Sequence, residues 1–281
     1  AWRLVDNEFV AVTGTNGKTT TTEWIGHIHR AAGLPVAVAG NVGTAVSSLI
    51  GQLDPAATVV CEASSFQLED TIDFAPEQAV LLNISADHLD RHGSFETYVA
   101  AKLRVFARQS PEDLAILPQG LDLEPGGQAR RVRYGEGPEA SLAEQASLPG
   151  EHNRQNAMAA AAVCLGRGID ESAVAAGLRS FGGVPHRLEL IAERGGVAWI
   201  NDSKATNVAS TLVALRAFPA DVHLIAGGRG KQQDFSRLAP LVVERCRAVS
   251  LIGEAADEIA AALERAGVPL HRCGELKHAV G

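Results

Sequence analysis

Short apolar runs alternate with helix-like stretches through the first half of the chain. The runs are FVAV (9–12), VAVAG (36–40), TVVCE (58–62), AVLLNI (79–84) and LAIL (114–117). This alternation is typical of βαβ units, in which a helix returns the chain so that the next strand lies parallel to the last. The sequence therefore predicts an α/β fold built on a mostly parallel sheet.

A second alternation of strand and helix patterns begins after the chain-breaking sequence GGVP (182–185). It opens with a hairpin predicted around Gly195 and Gly196, which separate two strand-like runs. Helix-like and strand-like stretches then alternate to the end of the sequence. We therefore expect two domains, a larger one at 1–185 and a smaller, Rossmann-like α/β domain at 186–281.

Two helices of the first domain are predicted from the residues at their ends. One is expected at about 19–32, before Gly33. Another is expected over 95–109, with Ser94 as its N-cap. The apolar side chains predicted near one face of this second helix are Phe95, Val99, Leu103 and Phe106. The stretch 118–147 is rich in Pro, Gly and Glu and is expected to be a surface excursion.

The sequence GTNGKTT (14–20) lies between the first predicted strand and the first predicted helix, as a phosphate-binding loop would. Glycines let backbone N–H groups approach phosphates, the helix N-terminus favours negative charge, Lys18 adds a cation and Thr19 can ligate Mg²⁺. The common pattern has one more glycine, at the position of Val12. The loop predicts ATP binding but selects no reaction, because kinases, GTPases and motor ATPases share it. The residues predicted to bind ATP here are Gly14, Thr15, Asn16, Gly17, Lys18, Thr19 and Thr20.

Charge and cysteine content exclude several classes of protein. Lys and Arg number 25 against 33 Asp and Glu, so the net charge of −8 offers no attraction to nucleic acid or an anionic membrane. The four cysteines are far apart and form no C-x-x-C pair, which argues against a zinc site or a disulfide framework. No apolar run reaches the length of a membrane span. We therefore expect a monomeric cytoplasmic protein with no nucleic-acid or membrane partner.

The loop resembles that of the Mur ligases and the folylpolyglutamate synthetases, which use ATP to join an amino acid to a carboxylate. Further short blocks fall in this family's order along nearly the whole chain. They are GNVG (40–43), CEASSFQLE (61–69), NISADHLDRH (83–92), YVAAK (98–102), GEHNRQN (150–156), PHRLE (185–189) and NDSKATN (201–207). Each block is weak alone, but together their order and spacing make the chain similar to a Mur ligase.

The resemblance implies two Mg²⁺ sites. Glu62 ends a predicted buried strand, where ligands collect in open α/β sheets, and with Thr19 it would hold the first ion. His88 and Lys102 would hold the second, with Lys102 converted by CO₂ to a carbamate, which requires a pKa below about 10.4. The alternatives are an exposed strand-end carboxylate, a solvated loop histidine and a lysine on a solvated helix face. Supporting residues in this region are Asp87, Asp90 and His92.

The resemblance also implies contacts with substrates. The further ATP contacts are Asn153, Arg187 and Asp202, and the substrate contacts are Asn41, Thr206 and Lys231. Lys204 would stabilise a phosphate group. Asn153 also fits a helix N-cap, and Lys231 also fits a glycine turn at the surface. The residues to which catalysis is assigned are Lys18, His88, Lys102 and Lys204.

Within the family, the blocks at 64–69 and 201–207 are most similar to members that add D-glutamate to UDP-N-acetylmuramoyl-L-alanine in peptidoglycan precursor synthesis. That reaction passes through an acyl phosphate made with ATP. Family members have a UDP-binding domain before the phosphate loop and further D-glutamate contacts near their C-terminus, so we expect a central domain and an incomplete C-terminal domain. The alternatives are another Mur ligase, a folylpolyglutamate synthetase-like ligase, and a nucleotide-binding fragment without ligase activity.

Overall fold

The computed structural model describes residues 1–230 and 233–280, apart from the side chain of Asp90. The chain divides into two compact units between Val184 and Pro185. Within the described ranges, no helix has both the length and the apolar character needed to cross a bilayer.

A six-stranded parallel sheet forms the centre of the first unit. Its strands are β1 (Phe9–Thr13), β2 (Val36–Gly40), β3 (Thr58–Glu62), β4 (Gln78–Leu81), β5 (Leu114–Pro118) and β6 (Arg130–Tyr134). They lie in the order β2-β3-β1-β4-β5-β6, and each neighbouring pair is parallel. The predicted α/β class with a mostly parallel sheet is confirmed. The order of the strands reverses at β1, and open α/β sheets bind ligands at such a point, beyond the carboxyl ends of the strands.

Helices cover both faces of this sheet. They are α1 (Lys18–Ala31), α2 (Ser65–Glu69), α3 (Leu89–His92), α4 (Phe95–Leu103), α5 (Pro138–Ala143), α6 (Glu151–Gly166) and α7 (Glu171–Ser180). α1, α6 and α7 pack together over one face, while α2 and the turn after α4 cover the other. α1 begins at Lys18, within the phosphate-loop sequence, and Gly17 is its N-cap. Ser94 caps α4, as predicted, by accepting a hydrogen bond from the backbone N–H of Thr97.

The predicted apolar face of the helix that begins at Phe95 is confirmed in part, because Phe106 is fully buried and Leu103 packs against the same core. The helix ends at Leu103 and tightens into a 3-10 turn, and its buried residues are Tyr98, Ala101 and Lys102. Phe95, which was expected on the apolar face, is 39% exposed. The side chain of Lys102 instead turns inward, where it forms a buried hydrogen bond with the backbone of the phosphate loop.

The stretch 118–147 is not the surface excursion that its composition predicts. It contains β6 and α5, and it buries Tyr134 and Leu142 in the core. β6 is an edge strand with exposed arginines at 130, 131 and 133. Charged side chains are common on edge strands because they prevent pairing with other chains, and here they hide the apolar pattern.

The second unit contains a hairpin and a small parallel sheet. The hairpin strands β7 (Glu189–Arg194) and β8 (Val197–Asn201) are antiparallel, as predicted, and Gly195 and Gly196 between them have φ of 58° and 77°. The sheet has the order β11-β10-β9, formed by β9 (Val222–Gly227), β10 (Cys246–Ile252) and β11 (Leu270–Gly274). The helices are α8 (Val208–Arg216), α9 (Ala239–Arg245), α10 (Ala256–Leu263) and α11 (Leu276–Val280).

Candidate active site

The phosphate-loop sequence forms a tight turn between β1 and α1. Gly14 and Gly17 have φ of 152° and 84°, in the region that favours glycine. A Cβ added at Gly17 would lie 2.2 Å from Asn156 Oδ1, so the turn leaves no space for a larger residue. Lys18 Nζ donates hydrogen bonds to the carbonyl oxygens of Gly14 and Thr15, each at 3.0 Å. The loop is therefore closed around a cation.

The segment that follows β4 holds the loop from the other side. The backbone N–H of Thr15 donates to Asn83 O at 3.0 Å, and the backbone N–H of Asn16 donates to Asn83 Oδ1 at 2.9 Å. Asn83 Nδ2 returns a hydrogen bond to Asn16 O at 3.0 Å. Thr15 Oγ1 accepts from the N–H of Ser85 at 3.0 Å and lies 2.9 Å from the Tyr98 hydroxyl. These hydrogen bonds fix the conformation of the loop.

Lys102 reaches the same loop from α4. Its residue is 2% exposed, and its Nζ donates to Gly14 O at 2.8 Å. The ammonium also lies 4.8 Å from the centre of the Tyr98 ring. Burial, and then the nearby charge of Lys18, lowers the pKa of Lys102 to about 7. Two lysines thus donate to one carbonyl oxygen, and the alternative of a solvated helix face for Lys102 is wrong.

Glu62 is the last residue of β3 and is 3% exposed, so the alternative of an exposed strand-end carboxylate is wrong. Its Oε1 accepts a hydrogen bond from Asn41 Nδ2 at 3.1 Å, and the backbone N–H of Asn41 donates to Glu62 O at 2.9 Å. The Glu62 carboxylate is also close enough to Lys102 for its charge to oppose the fall in the lysine pKa. The structure therefore brings Asn41, Glu62 and Lys102 to one edge of the sheet.

His88 lies at the start of the one-turn helix α3. It occupies the N-cap position with a left-handed φ of 52°, and its side chain is half exposed. The neighbouring Asp87 accepts a hydrogen bond from the His88 backbone N–H at 3.0 Å, and a second Asp87 oxygen lies 3.7 Å from His88 Nε2. Among the side chains that the structure describes, no group of three His, Cys, Asp or Glu is close enough to hold a metal ion.

Asn153 and Asn156 extend the site on α6. Gly150, with φ of 97°, is the N-cap of this helix, so the alternative assignment of Asn153 as the cap is wrong. Asn153 is instead the third residue of the helix, where it is buried and donates from Nδ2 to Pro149 O at 2.8 Å. Asn156 lies against the phosphate loop through the close approach of its Oδ1 to Gly17.

Candidate residues of the second unit lie around a strained turn. His186 and Leu188 both have left-handed φ values, of 67° and 44°, and Arg187 lies between them. Asp202 Oδ1 accepts a hydrogen bond from the backbone N–H of Leu188 at 3.1 Å, and the backbone N–H of Lys204 donates to His186 O at 3.1 Å. Burial raises the pKa of the Asp202 carboxyl. These hydrogen bonds join the turn that carries Arg187 to the segment that carries Asp202 and Lys204.

Of the two residues predicted to contact D-glutamate, the structure describes Thr206. Thr206 is exposed, and its carbonyl oxygen accepts a hydrogen bond from Gln233 Nε2 at 3.4 Å. The next residue, Asn207, caps α8 by accepting from the N–H of Ser210 at 2.7 Å. Lys231 lies outside the described residues.

Two domain families match this chain along most of its length. The Mur ligase middle domain matches residues 12–126, and the Mur ligase glutamate ligase domain matches residues 186–281. A UDP-N-acetylmuramoylalanine--D-glutamate ligase of Acidobacterium capsulatum is 43% identical over 311 residues, which cover 100% of this chain and 67% of that protein. The chain belongs to the Mur ligase family. A ligase of the same name from Pelotomaculum thermopropionicum is 40% identical, and the match spans 95% of this chain but 64% of that relative.

Solved Mur ligases share the fold at lower identity. MurF from Acinetobacter baumannii superposes with a TM-score of 0.76 at 22% identity, covering 96% of this chain and 68% of that one. MurF of Thermotoga maritima in complex with ADP gives 0.73 at 17% identity, covering 95% and 70%. FolC of E. coli in complex with ADP gives 0.68 at 18% identity, covering 99% and 82%.

Three residues of the site were not singled out from the sequence. Asn83, Tyr98 and Asn156 all contact the phosphate loop, and each lies inside a block that resembles the Mur ligases. The resemblance of those blocks to the Mur ligases was therefore the only feature of the sequence that pointed to these residues. The contacts themselves join segments far apart in the chain, and nothing in the local sequence around each residue reveals them.

Proposed function

We propose that the chain is the ATP-binding and amino-acid-adding part of a ligase that joins D-glutamate to UDP-N-acetylmuramoyl-L-alanine. The names of relatives that are 40–43% identical support this reaction. The observation that carries it is the convergence of Lys18 and Lys102 on the carbonyl of Gly14, next to the buried Glu62. A simple phosphate loop needs only the first of these lysines.

The first unit would bind ATP, and the ADP complexes of two solved relatives support this assignment. The backbone of residues 14–20 and the ammonium of Lys18 would contact the phosphates. Asn153 would contact the base. From the second unit, Arg187 and Lys204 would contribute positive charge near the phosphates, and Asp202 would bind the ribose.

Glu62 and Thr19 would hold a Mg²⁺ ion in this proposal. The hydrogen-bond partner of the buried Glu62 carboxylate is the neutral amide of Asn41, so the charge fits a cation with oxygen ligands. His88 and Lys102 would hold a second ion, but an ammonium group cannot be a ligand. Bound Mg²⁺ supplies positive charge that offsets the negative charge of the phosphates.

Lys102 would become an oxygen ligand by reacting with CO₂. In that step the neutral amine forms a bond from Nζ to the carbon of CO₂ and releases one proton, which leaves a carbamate with two oxygens. The hydrogen bond from Nζ to Gly14 O keeps the amine pointed at the phosphate loop, and the burial of the side chain favours its neutral form. The lowered pKa supports the same assignment.

The reaction would proceed in two steps. A carboxylate oxygen of the muramoyl substrate attacks the γ-phosphorus of ATP, the bond to ADP breaks, and an acyl phosphate forms. The amine nitrogen of D-glutamate then attacks the acyl carbon, phosphate leaves, and the nitrogen loses a proton. Lys18 and Lys204 would stabilise negative charge on the transferred group, while Thr206 and Lys231 would hold the carboxylates of D-glutamate.

A screen of amino acids tests this proposal. The protein is prepared at the full length of its relatives and supplied with ATP, Mg²⁺ and UDP-N-acetylmuramoyl-L-alanine, and phosphate release is measured with each amino acid. We expect turnover with D-glutamate alone. Turnover with L-lysine or diaminopimelate would assign the neighbouring step to this protein, and no turnover with any amino acid would favour a nucleotide-binding role without ligase activity.

We also propose that the protein acts in the cytoplasm as a monomer. The cysteines at 61, 164, 246 and 273 are free, and free thiols persist in reducing compartments. Fractionation of cells and size-exclusion chromatography test the two parts of this statement.

A further inference from the structure

A buried polar network joins α2 to α3, outside the residues to which a role has been given. The side chain of His92 is fully buried, and its Nε2 lies 3.0 Å from the hydroxyl oxygen of Ser65. On the other side of the ring, Nδ1 lies 3.7 Å from Glu69 Oε2. Ser65 and Glu69 are four residues apart, so both lie on the side of α2 that faces α3.

The carboxylate determines which ring nitrogen of His92 carries the proton. Glu69 can only accept hydrogen bonds, so a hydrogen on His92 Nδ1 is attracted to it, while a lone pair there would be repelled. Nε2 is then the acceptor, and the Ser65 hydroxyl donates to it. His92 Nδ1 and Glu69 Oε2 are buried without a hydrogen bond in the described structure.

Aromatic contacts connect His92 to His88. The ring of Phe66 stacks on His92 with centroids 5.4 Å apart, and it also meets the ring of His88 at 4.9 Å. The ring of Tyr98 contacts the other side of His92 at 5.4 Å. The Phe66 ring therefore packs between the rings of His88 and His92.

The helix that carries His88 needs such a support. α3 has four residues, and a helix of this length is not stable by itself, so its position depends on tertiary contacts. His88 adds a left-handed backbone conformation at the start of α3, which is unfavourable for a residue other than glycine. His92 is the last residue of the same helix, and it is buried, whereas Leu89 and Arg91 are exposed.

We propose that His92 is a positioning residue which, together with Ser65 and Phe66, holds α3 so that His88 reaches the proposed second Mg²⁺ site. This inference rests on the proposed function, because that proposal gives His88 its metal-binding role. His92 touches neither metal nor substrate in it. Partners that orient metal ligands typically change metal affinity or activity by about 10–100-fold when they are removed.

The test measures binding of Mn²⁺, a paramagnetic substitute for Mg²⁺, by electron paramagnetic resonance. The full-length protein is used with UDP-N-acetylmuramoyl-L-alanine and a non-hydrolysable ATP analogue, and the ion lost in His88→Ala defines the second site. We expect His92→Phe, which keeps a stacked ring, and Ser65→Ala to weaken that site by about tenfold each. The double variant should lose little more than either single one. His92→Gln keeps an acceptor for Ser65 and should recover most of the affinity.

A buried histidine elsewhere provides the control. His29 is 1% exposed in α1 and hydrogen-bonds to the carbonyl oxygen of Ile25, so His29→Phe makes the same chemical change away from α3. It should lower thermal stability without changing Mn²⁺ affinity. If His92→Phe behaves like this control, His92 is merely structural and the inference is wrong. If His88→Ala keeps both ions, the metal role of His88 is wrong and the inference falls with it, even if D-glutamate still supports turnover.

Discussion

Glu62, Lys102 and Asn153 of the first unit are buried, whereas the candidate residues of the second unit lie on a turn that is half exposed. Lys18, Lys102 and Asn83 all bond to the backbone of the phosphate loop. Arg187 lies between two residues with left-handed φ values, and Thr206 is exposed. The comparison indicates that the first unit offers a preformed phosphate site. The second unit is expected to gain order when ligands bind.

The largest effect is expected at the cation on which the preformed loop depends. Lys18→Ala removes both hydrogen bonds to the loop carbonyls and the only ammonium within residues 14–20. Loss of one such electrostatic group typically costs on the order of 10²–10³ in rate, so we expect ATP turnover to fall at least that far. Phosphate release and calorimetry with ATP provide the measurement.

An exposed lysine of the second unit serves as the control for that substitution. Lys277 is paired with Glu275 at the surface, and Lys277→Ala should leave turnover unchanged. Normal turnover in Lys18→Ala would show that the loop is not the phosphate site, and the contrast between the two units would lose its basis.

The next effect concerns the second lysine at the loop. Lys102→Ala should lower ligase activity by about 10²-fold, and added formate or acetate should partly restore it, because a small carboxylate can supply the missing oxygen ligand. Lys102→Arg should remain inactive, since a guanidinium stays charged and cannot form a carbamate. Steady-state rates measured with and without added formate or acetate give the readout.

Normal activity in Lys102→Arg would make Lys102 a simple buried cation. The hydrogen bond to Gly14 O would then be its whole role, and the proposed second metal site would have to be rebuilt from other residues. Rescue by a bulky carboxylate as well as by formate would also argue against a ligand held in a small space.

A pair of glycine substitutions compares the two units directly. Gly17 and Gly195 both have left-handed φ values, of 84° and 58°, so alanine at either position costs about 1–2 kcal/mol. At Gly17 the added methyl group would also meet Asn156 Oδ1 at 2.2 Å, while at Gly195 it meets open space. We expect both variants to lower the melting temperature, but only Gly17→Ala to weaken ATP binding, by about tenfold or more. Equal ATP affinity in the two variants would show that the loop is not tightly preformed.

The sequence was sufficient for features set by neighbouring residues. The loop at 14–20, the cap at Ser94 and the hairpin turn at Gly195 all depend on short-range rules, and each has the predicted local structure. Parallel strands were predicted for the same reason, because each is an uninterrupted apolar run. The blocks similar to Mur ligases then supplied the candidate site residues.

Features set by long-range contacts were beyond the sequence. The apolar pattern of α4 placed Phe95 inward, but Phe95 is exposed, while Lys102 is buried and hydrogen-bonds to the phosphate loop. β6 was missed because its arginines conceal the strand pattern at a sheet edge. Asn153 was given a possible cap position that Gly150 occupies instead. Lys102 and β6 depend on contacts with distant parts of the chain, and the start of α6 depends on the backbone conformation of a glycine.

The smallest effect is expected at Asp202. It tests whether the turn in the second unit is held less firmly than the phosphate loop. Burial raises the pKa of this carboxyl above its ordinary value of 3.8, so between these two values the folded protein binds more protons than the unfolded one. The free energy of unfolding therefore falls as the pH rises through that window.

Asp202→Asn does not titrate, and its amide oxygen still accepts the hydrogen bond from Leu188. The carboxyl is only half-buried, so solvent screening should keep the difference between the two proteins under about 1 kcal/mol. Thermal melts at pH 4 and pH 7 give the measurement. The melting temperature of the variant relative to that of the wild type should be higher at pH 7 than at pH 4. A variant that instead loses stability at pH 7 would mean that the charged carboxylate is needed in the folded turn, which would then be as firmly preformed as the phosphate loop.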